Sequence, residues 1–243
     1  MKFTIIIPCY NAEQWIEESI LSALNQTYSD LEVICVDNES TDGSFIIVQK
    51  MKSLYPQLII STAPNLFKYS WEEPVEEALR LAEGKYFTIL GADDFLDKNY
   101  VTNIVKIIKK SGNKIKLLQS PIRGIKGKDK IPSEEISHSY RSLEEFKSLL
   151  FNGCPVTTPS VVYDKQLHDC GIIRWDSKKF LGAVDYELYF HLSDQELFIY
   201  PYPKWVGYYY RWHKDQATWG MHQEPKNYDK LVKDLWRKKW SLV

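Results

Sequence analysis

Apolar residues in the first hundred positions follow two rhythms. The continuous runs Phe3 to Ile7 and Leu31 to Val36 are rich in β-branched residues and read as strands buried on both faces. Between them and after them, apolar positions recur every three or four residues. Ile16, Ile20, Ala23 and Leu24 form one such stripe, Trp71, Val75, Ala78, Leu79 and Ala82 a second, and Val101, Ile104, Val105 and Ile108 a third. That spacing predicts helices packed by one face on a sheet. Pro8 stops the first strand. Asn11 stands as an N-cap for the helix that follows, with Gln14 placed to close a capping box. A helix over 44–54, a strand near Leu58 to Ser61 and a strand ending at Leu90 complete a βαβαβαβ run, and Gly84 ends the helix before the last strand. The alternation predicts an α/β domain with a mostly parallel sheet and helices on both faces.

Beyond Ser111 the texture changes. Residues 112–132 are rich in Lys and Gly around one short apolar stretch, Ile115 to Leu118, which reads as an edge strand followed by a mobile loop. Ser142 and Glu145 start a capped helix, Ser160 to Tyr163 a strand, and Val184, Leu188 and Leu192 another helix with Asp185 and Glu187 in its first turn. Trp205 to Trp212 is an aromatic strand that leads into His213. The segment Tyr228 to Trp240 is a basic amphipathic helix. It suits an anionic membrane surface, and equally a solvated basic face on a helix packed against its own domain.

Composition narrows the classes. At 243 residues, 44% hydrophobic and 26% charged, the chain can bury a substantial core as one large domain, or as a domain with a small extension. A formal net charge of -1 argues against non-specific nucleic-acid binding. The four cysteines, Cys9, Cys35, Cys154 and Cys170, have no zinc spacing and read as reduced thiols in a cytoplasmic protein. The apolar start is too short for a signal peptide, and no run approaches a membrane span. No G-x-G-x-x-G follows the first strand, which disfavours a dinucleotide-binding oxidoreductase. Pro8-Cys9 stands where a phosphorelay receiver would place its acidic pair.

The chemistry centres on Gly91-Ala92-Asp93-Asp94. Two adjacent carboxylates at the carboxyl end of a buried strand are costly unless a positive charge neutralises them. Hard divalent cations do so through oxygen ligands and commonly bridge phosphates, and ligands gather at the carboxyl ends of strands in such sheets. A solvated turn with Asp94 capping the next helix is the simpler alternative.

Five blocks together resemble family 2 glycosyltransferases, inverting enzymes with a GT-A fold. They are Thr4-Ile5-Ile6-Ile7-Pro8-Cys9-Tyr10-Asn11-Ala12-Glu13; Leu24 to Tyr28 through Val36-Asp37-Asn38-Glu39-Ser40; Ala82-Glu83-Gly84 through Gly91-Ala92-Asp93-Asp94; Val184-Asp185-Tyr186-Glu187-Leu188; and Tyr210-Arg211-Trp212-His213 with Gln216-Ala217-Thr218. The resemblance implies a nucleotide-sugar-binding half over 1–110, an acceptor-binding half over 111–222 and a C-terminal basic helix over 223–243. It implies that Pro8, Tyr10, Asn11, Asp37 and Asn38 hold the nucleoside, with Asp93 near the ribose or sugar. It implies Asp93, Asp94 and His213 as ligands of Mg²⁺ or Mn²⁺, and Asp185 as the base that takes the acceptor proton. The implied partners are a nucleoside-diphosphate sugar, UDP-sugars first among them, and a glycan or lipid-linked acceptor in surface polysaccharide assembly. The implied location is the cytoplasm, including the inner face of the plasma membrane.

Three positions depart from the family pattern. Asn38 stands where a second aspartate is usual, Gly91 where a further aspartate is common, and Pro74-Val75-Glu76 where a cationic contact is expected, so that Lys68 or Arg80 would have to replace it. A non-catalytic sugar-nucleotide-binding or scaffold protein of the same fold is therefore the alternative. The aromatics Trp205, Tyr208, Tyr209, Tyr210, Trp212 and Trp219 suit a platform for sugar rings or plain core.

Overall fold

A computed structural model describes residues 1–202 and 204–241. The chain runs β1 (Phe3–Cys9), α1 (Ile16–Leu24), β2 (Leu31–Asp37), α2 (Ser44–Leu54), β3 (Ile59–Thr62), α3 (Glu72–Leu81), β4 (Tyr86–Ile89), β5 (Phe95–Leu96) and α4 (Tyr100–Lys110). It continues through β6 (Leu117–Gln119), β7 (Ile122–Lys126), β8 (Ile131–Ile136), α5 (Leu143–Asn152), β9 (Val162–Asp164), α6 (Lys165–Asp169) and α7 (Ser177–Phe180). The last elements are α8 (Val184–Asp194), β10 (Ile199–Pro201), β11 (Tyr208–Trp212), α9 (Ala217–His222) and α10 (Tyr228–Lys239).

The main sheet has the order β10-β6-β9-β4-β1-β2-β3, parallel except for β9. It draws strands from both 1–110 and 111–222. Alternation along β1 shows how two cores are built from one strand. Phe3, Ile5, Ile7 and Cys9 point into the layer of α1, α2 and α4, and Ile6 into the layer of α3, α5, α8 and α10. The smaller sheet, β5-β11-β7-β8, stands at the carboxyl side of the main one and begins directly after the acidic turn.

Four local expectations are corrected. Asn11 does not cap α1, which starts at Ile16 after Trp15. Asn11 adopts φ 48° and uses its side-chain carbonyl to accept from the Thr41 N–H at 2.8 Å, lashing the loop after β1 to the loop after β2. Gly84 is not a left-handed helix cap; a Cβ there would meet Thr4 Oγ1 at 2.2 Å and Thr4 N at 2.8 Å, so it is needed for close approach to β1. The stretch near 115–118 is not an edge: β6 lies between β9 and β10, and Leu117 and Leu118 are buried. The Lys- and Gly-rich segment is the paired hairpin β7–β8, whose outer strand carries the exposed residues.

The apolar side of α10 is also resolved. Val232 and Trp236 are fully buried, Trp236 stacks on Phe190 of α8 at 5.8 Å, and Trp240 donates to Asp194 at 2.8 Å. The helix therefore packs much of its apolar side on its own domain, as expected of a basic face on a packed helix. No helix among the described residues is long and apolar enough to cross a membrane.

If α10 completes this core, Trp236→Ala removes one of the largest buried side chains. It should cost about 3–5 kcal/mol, read as a lowered denaturant midpoint. A midpoint equal to wild type would mean that α10 is a detachable appendage.

Candidate active site

The acidic turn starts where β4 leaves the sheet, with the Leu90 N–H bonded to Ile6 O at 2.8 Å. Asp94 N closes the turn on Gly91 O at 3.1 Å. A Cβ on Gly91 would meet Asp94 Oδ2 at 2.7 Å and Asp93 Oδ1 at 2.9 Å. Both carboxylates thus fold back over position 91, into space that a side chain would otherwise fill.

The two aspartates then part company. Asp94 is 3% exposed, and both of its oxygens are occupied: Oδ2 accepts from Tyr208 Oη at 2.7 Å and Oδ1 from the Arg211 N–H at 2.8 Å. Tyr208 Oη in turn accepts from the Gly91 N–H at 3.0 Å. Burial, followed by the Asp93 charge, pushes the Asp94 carboxyl well up from its usual range, against the Arg211 N–H and the Tyr208 hydroxyl. Asp93 is half-exposed and meets His213 instead, Oδ2 to Nε2 at 2.9 Å. His213 rests beside Trp15, ring centres 5.5 Å apart.

Pairing of β5 with β11 sets this geometry, because Tyr209 lies opposite Phe95 and Tyr208 opposite Leu96. Arg211, part of the last family-like block, is the residue to which the sequence assigned no role. It is 1% exposed and donates to Asp93 O at 2.7 Å, to Gly127 O at 2.5 Å and to Glu18 Oε2 at 2.7 Å, with its guanidinium 4.5 Å from the Trp15 ring centre. An arginine inside an otherwise aromatic strand was the available signal.

At the end of β2, Asp37 and Asn38 are buried, at 4% and 2% exposure. Asp37 Oδ2 accepts from the Ser40 N–H at 3.1 Å, whereas Asp37 Oδ1 and Asn38 Oδ1 have no partner among the described residues. Two orphaned buried oxygens side by side mark a place for a donor-bearing ligand. Tyr10 is 49% exposed beside them in the loop after β1, which also carries Pro8 and Asn11.

A cavity of about 210 Å³ opens over the acidic turn, walled by Gly91, Asp93, Asp94, Thr158, Tyr163 and Tyr210 among others. Thr158 ties Asp185 to this cavity. Asp185 is in the first turn of α8, half-buried, accepting from the Tyr186 N–H at 2.7 Å. Desolvation raises its carboxyl to about 6, with the Thr158 hydroxyl and the Tyr186 N–H pulling the other way. Neither expected replacement cation lines this cavity: Arg80 pairs with Glu77 at 2.9 Å and Lys68 with Glu224 at 2.7 Å. Of the aromatic platform, Tyr208 is floor and Tyr209 stacks on Phe95 at 4.7 Å, while Tyr210 reaches the cavity and Trp219 is 43% exposed.

No group of three or more His, Cys, Asp or Glu side chains among the described residues is arranged to hold a metal by itself. The Asp93–His213 pair nevertheless fits a divalent ion whose remaining ligands come from phosphate and water. The four cysteines are free thiols, Cys9 and Cys35 buried.

The chain resembles known proteins along most of its length. The model of "Glycosyl transferase family 2" matches residues 4–170. The poly(ribitol-phosphate) beta-glucosyltransferase of Bacillus spizizenii is 31% identical over 136 residues, 53% of this chain and 20% of that protein. The crystal structure of residues 1–349 of TarS from Staphylococcus aureus, in complex with UDP-GlcNAc, superposes with a TM-score of 0.71 at 21% identity, covering 89% of this chain and 60% of that one. The mannosyltransferase PcManGT from Pyrobaculum calidifontis, in complex with GDP-Man and Mn²⁺, superposes with a TM-score of 0.64 at 19% identity, covering 91% of this chain and 60% of that one. The GT-A-like α/β fold expected from the sequence is thereby shown. The chain spans only part of these proteins' lengths.

The Asp94 network makes a direct prediction. Tyr208→Phe keeps the ring but strips the hydroxyl, leaving a buried carboxylate oxygen and the Gly91 N–H unpaired. Stability should fall by about 1–3 kcal/mol, read by denaturant unfolding. No change would show that water replaces the hydroxyl and that the network is not closed.

Proposed function

The chain belongs to glycosyl transferase family 2, and from that membership we propose that it transfers a sugar from a nucleoside-diphosphate donor to an acceptor hydroxyl with inversion. The observation that carries the proposal is the cavity that gathers Asp93 and Asp94 on one wall and Thr158, the neighbour of Asp185, on another. The donor-side carboxylates line this space, and Asp185 stands behind Thr158 at its other wall. A half-buried carboxyl raised toward neutrality beside Thr158 is an arrangement that favours catalysis over a non-catalytic scaffold.

In this reading Asp37 and Asn38 hold the base edge through their orphaned oxygens, under Tyr10, with Pro8 and Asn11 shaping the loop. UDP is the first candidate, since a carboxylate oxygen at Asp37 suits a ring N–H donor. Asn38 can both donate and accept, so it widens the set of bases this end can read. Asp93 and His213 would hold Mg²⁺ or Mn²⁺, which when bound neutralises the charge of the departing diphosphate. Asp94 orients its neighbour from beneath and holds the turn shut. Asp185 takes the acceptor proton: with its carboxyl raised to about 6 it is still ionised at neutral pH, yet a stronger base than an ordinary aspartate. The acceptor we favour is a hydroxyl on a glycan or polyol polymer, because a relative is named for acting on poly(ribitol phosphate).

One paired experiment tests both halves. Calorimetry with UDP, with and without Mn²⁺, should show metal-dependent binding that Asp93→Asn and His213→Ala each abolish. If both variants keep the metal dependence, this pair does not hold the ion. Asp185→Asn should bind donor within a few-fold of wild type while turnover falls by roughly 10²–10⁴. Lost donor binding would make Asp185 a donor ligand, and a retained rate would leave it a helix N-terminal carboxylate.

The raised carboxyl also sets the pH dependence. In wild type kcat/KM should climb as pH rises through about 6, because the ionised form is the base. Its effect on folding has the opposite sense. The folded state binds this proton more tightly than the unfolded chain, so the contribution is full below about 3.8 and is lost as pH rises through about 6. An acid limb in the usual carboxylate range would contradict the assignment of Asp185.

A further inference from the structure

A second concave surface lies away from the acidic turn. It is a groove of about 650 Å³ between the outer side of α4 and the connection from β10 to β11. One wall carries Lys106 and Lys110, four residues apart and so on the same helical stripe. The facing wall carries Tyr200, Tyr202, Lys204 and Trp205. No carboxylate lines the groove, and none of its three lysines makes an ion pair among the described residues. Seven other lysines do, and the rest of the chain's lysines among the described residues do not, so it is the absence of any lining carboxylate rather than the lack of ion pairs that sets the groove apart. Like charges at i and i+4 with no acid between them repel weakly, and an anion in the groove would be attracted to both. The rings opposite supply flat apolar faces; Tyr200, at 40% exposure, is among the few large hydrophobic side chains left open to solvent.

Cations on one wall and aromatic rings on the other match a chain that alternates anionic links with carbohydrate units. We propose that this groove binds an anionic glycan, a polymer of sugar or polyol units joined by phosphodiesters, at a distance from the transfer site. The aromatic wall is continuous with the floor of that site: Trp205 leans on Tyr100 at 5.9 Å, Tyr100 meets Tyr208 edge-on at 6.5 Å, and Tyr208 donates to Asp94. A polymer seated here would stay on the enzyme while another of its units is glycosylated, raising the local acceptor concentration. A bilayer is a poorer fit, since the surface is concave and Tyr200 is its one strongly exposed ring. The choice of polymer rests on the glycosyltransferase reading; the existence of the site does not.

The test uses the full chain and four probes: poly(ribitol phosphate), neutral dextran, poly(U), and vesicles of phosphatidylglycerol and phosphatidylcholine in equal parts. Binding is followed by tryptophan fluorescence and confirmed by calorimetry. Wild type should bind poly(ribitol phosphate) in preference to the other three. The double variant Lys106→Glu/Lys110→Glu, on an exposed helix side, should bind it roughly tenfold more weakly or worse, with a flatter salt dependence. Tyr200→Ser should weaken it several-fold, and neither variant should alter UDP binding with Mn²⁺. Unchanged affinity in the lysine variant overturns the proposal. So does equal binding of poly(U) or vesicles, or an unaffected Tyr200→Ser, which would reduce the groove to a diffuse basic patch. If wild type fails to bind nucleotide while the polymer results hold, the transferase reading falls and the groove stands.

Discussion

The buried carboxylate of Asp94 is the constraint on which the site is built. A carboxylate withdrawn from water is costly unless its oxygens are satisfied, and here the partners come from 114 and 117 residues further along the chain. Tyr208 and Arg211 can reach Asp94 only if β11 pairs with β5, and that pairing hangs the small sheet on the main one. Once Arg211 is in place its guanidinium holds the turn of the β7–β8 hairpin through Gly127 and the first turn of α1 through Glu18. One residue thus joins four parts of the chain, and His213 is delivered two positions later.

Two neighbouring aspartates illustrate how environment assigns roles that residue type does not. Asp93 and Asp94 are chemically identical and adjacent, yet one is half-exposed beside an imidazole and the other is sealed beneath a tyrosine. The absent side chain at Gly91 makes this possible, because both carboxylates occupy the volume that a Cβ would need. As a departure from the family pattern, Gly91 looked like a lost ligand. In the folded chain it is the condition for a tightly closed turn.

The sheet of the first half was legible because its strands are long, apolar and β-branched, and its helices carry clean apolar stripes. The acidic turn was legible because two adjacent carboxylates follow a buried strand, whereas Asp185 was singled out only by the resemblance of its block to the family. What escaped depended on partners distant in sequence. β6 reads as an edge until β10, three residues long, pairs with it at Leu117 and Leu118. Asn11 has the residue type of a helix cap, and only the approach of Thr41 turns it into a loop tie. Gly84 has the position of a helix terminator, but its hydrogen is needed against Thr4. The basic amphipathic pattern of α10 is compatible with lipid or protein, and only the approach of Phe190 shows which residues its apolar side packs on.

Charge distribution carries the same lesson to the surface. With a formal net charge of -1 the chain has no overall field to attract a polyanion, so any such attraction must come from local segregation of its lysines. Seven lysines are matched to carboxylates, which offset their charge locally. The groove beside α4 holds three lysines without such a match, facing aromatic rings. A near-neutral chain can in this way present a local cationic surface, and this one lies behind the same tyrosine that closes the acidic turn. Transfer chemistry and the holding of a long acceptor would then share a wall, with Tyr100 and Tyr208 packed between them as a rigid partition.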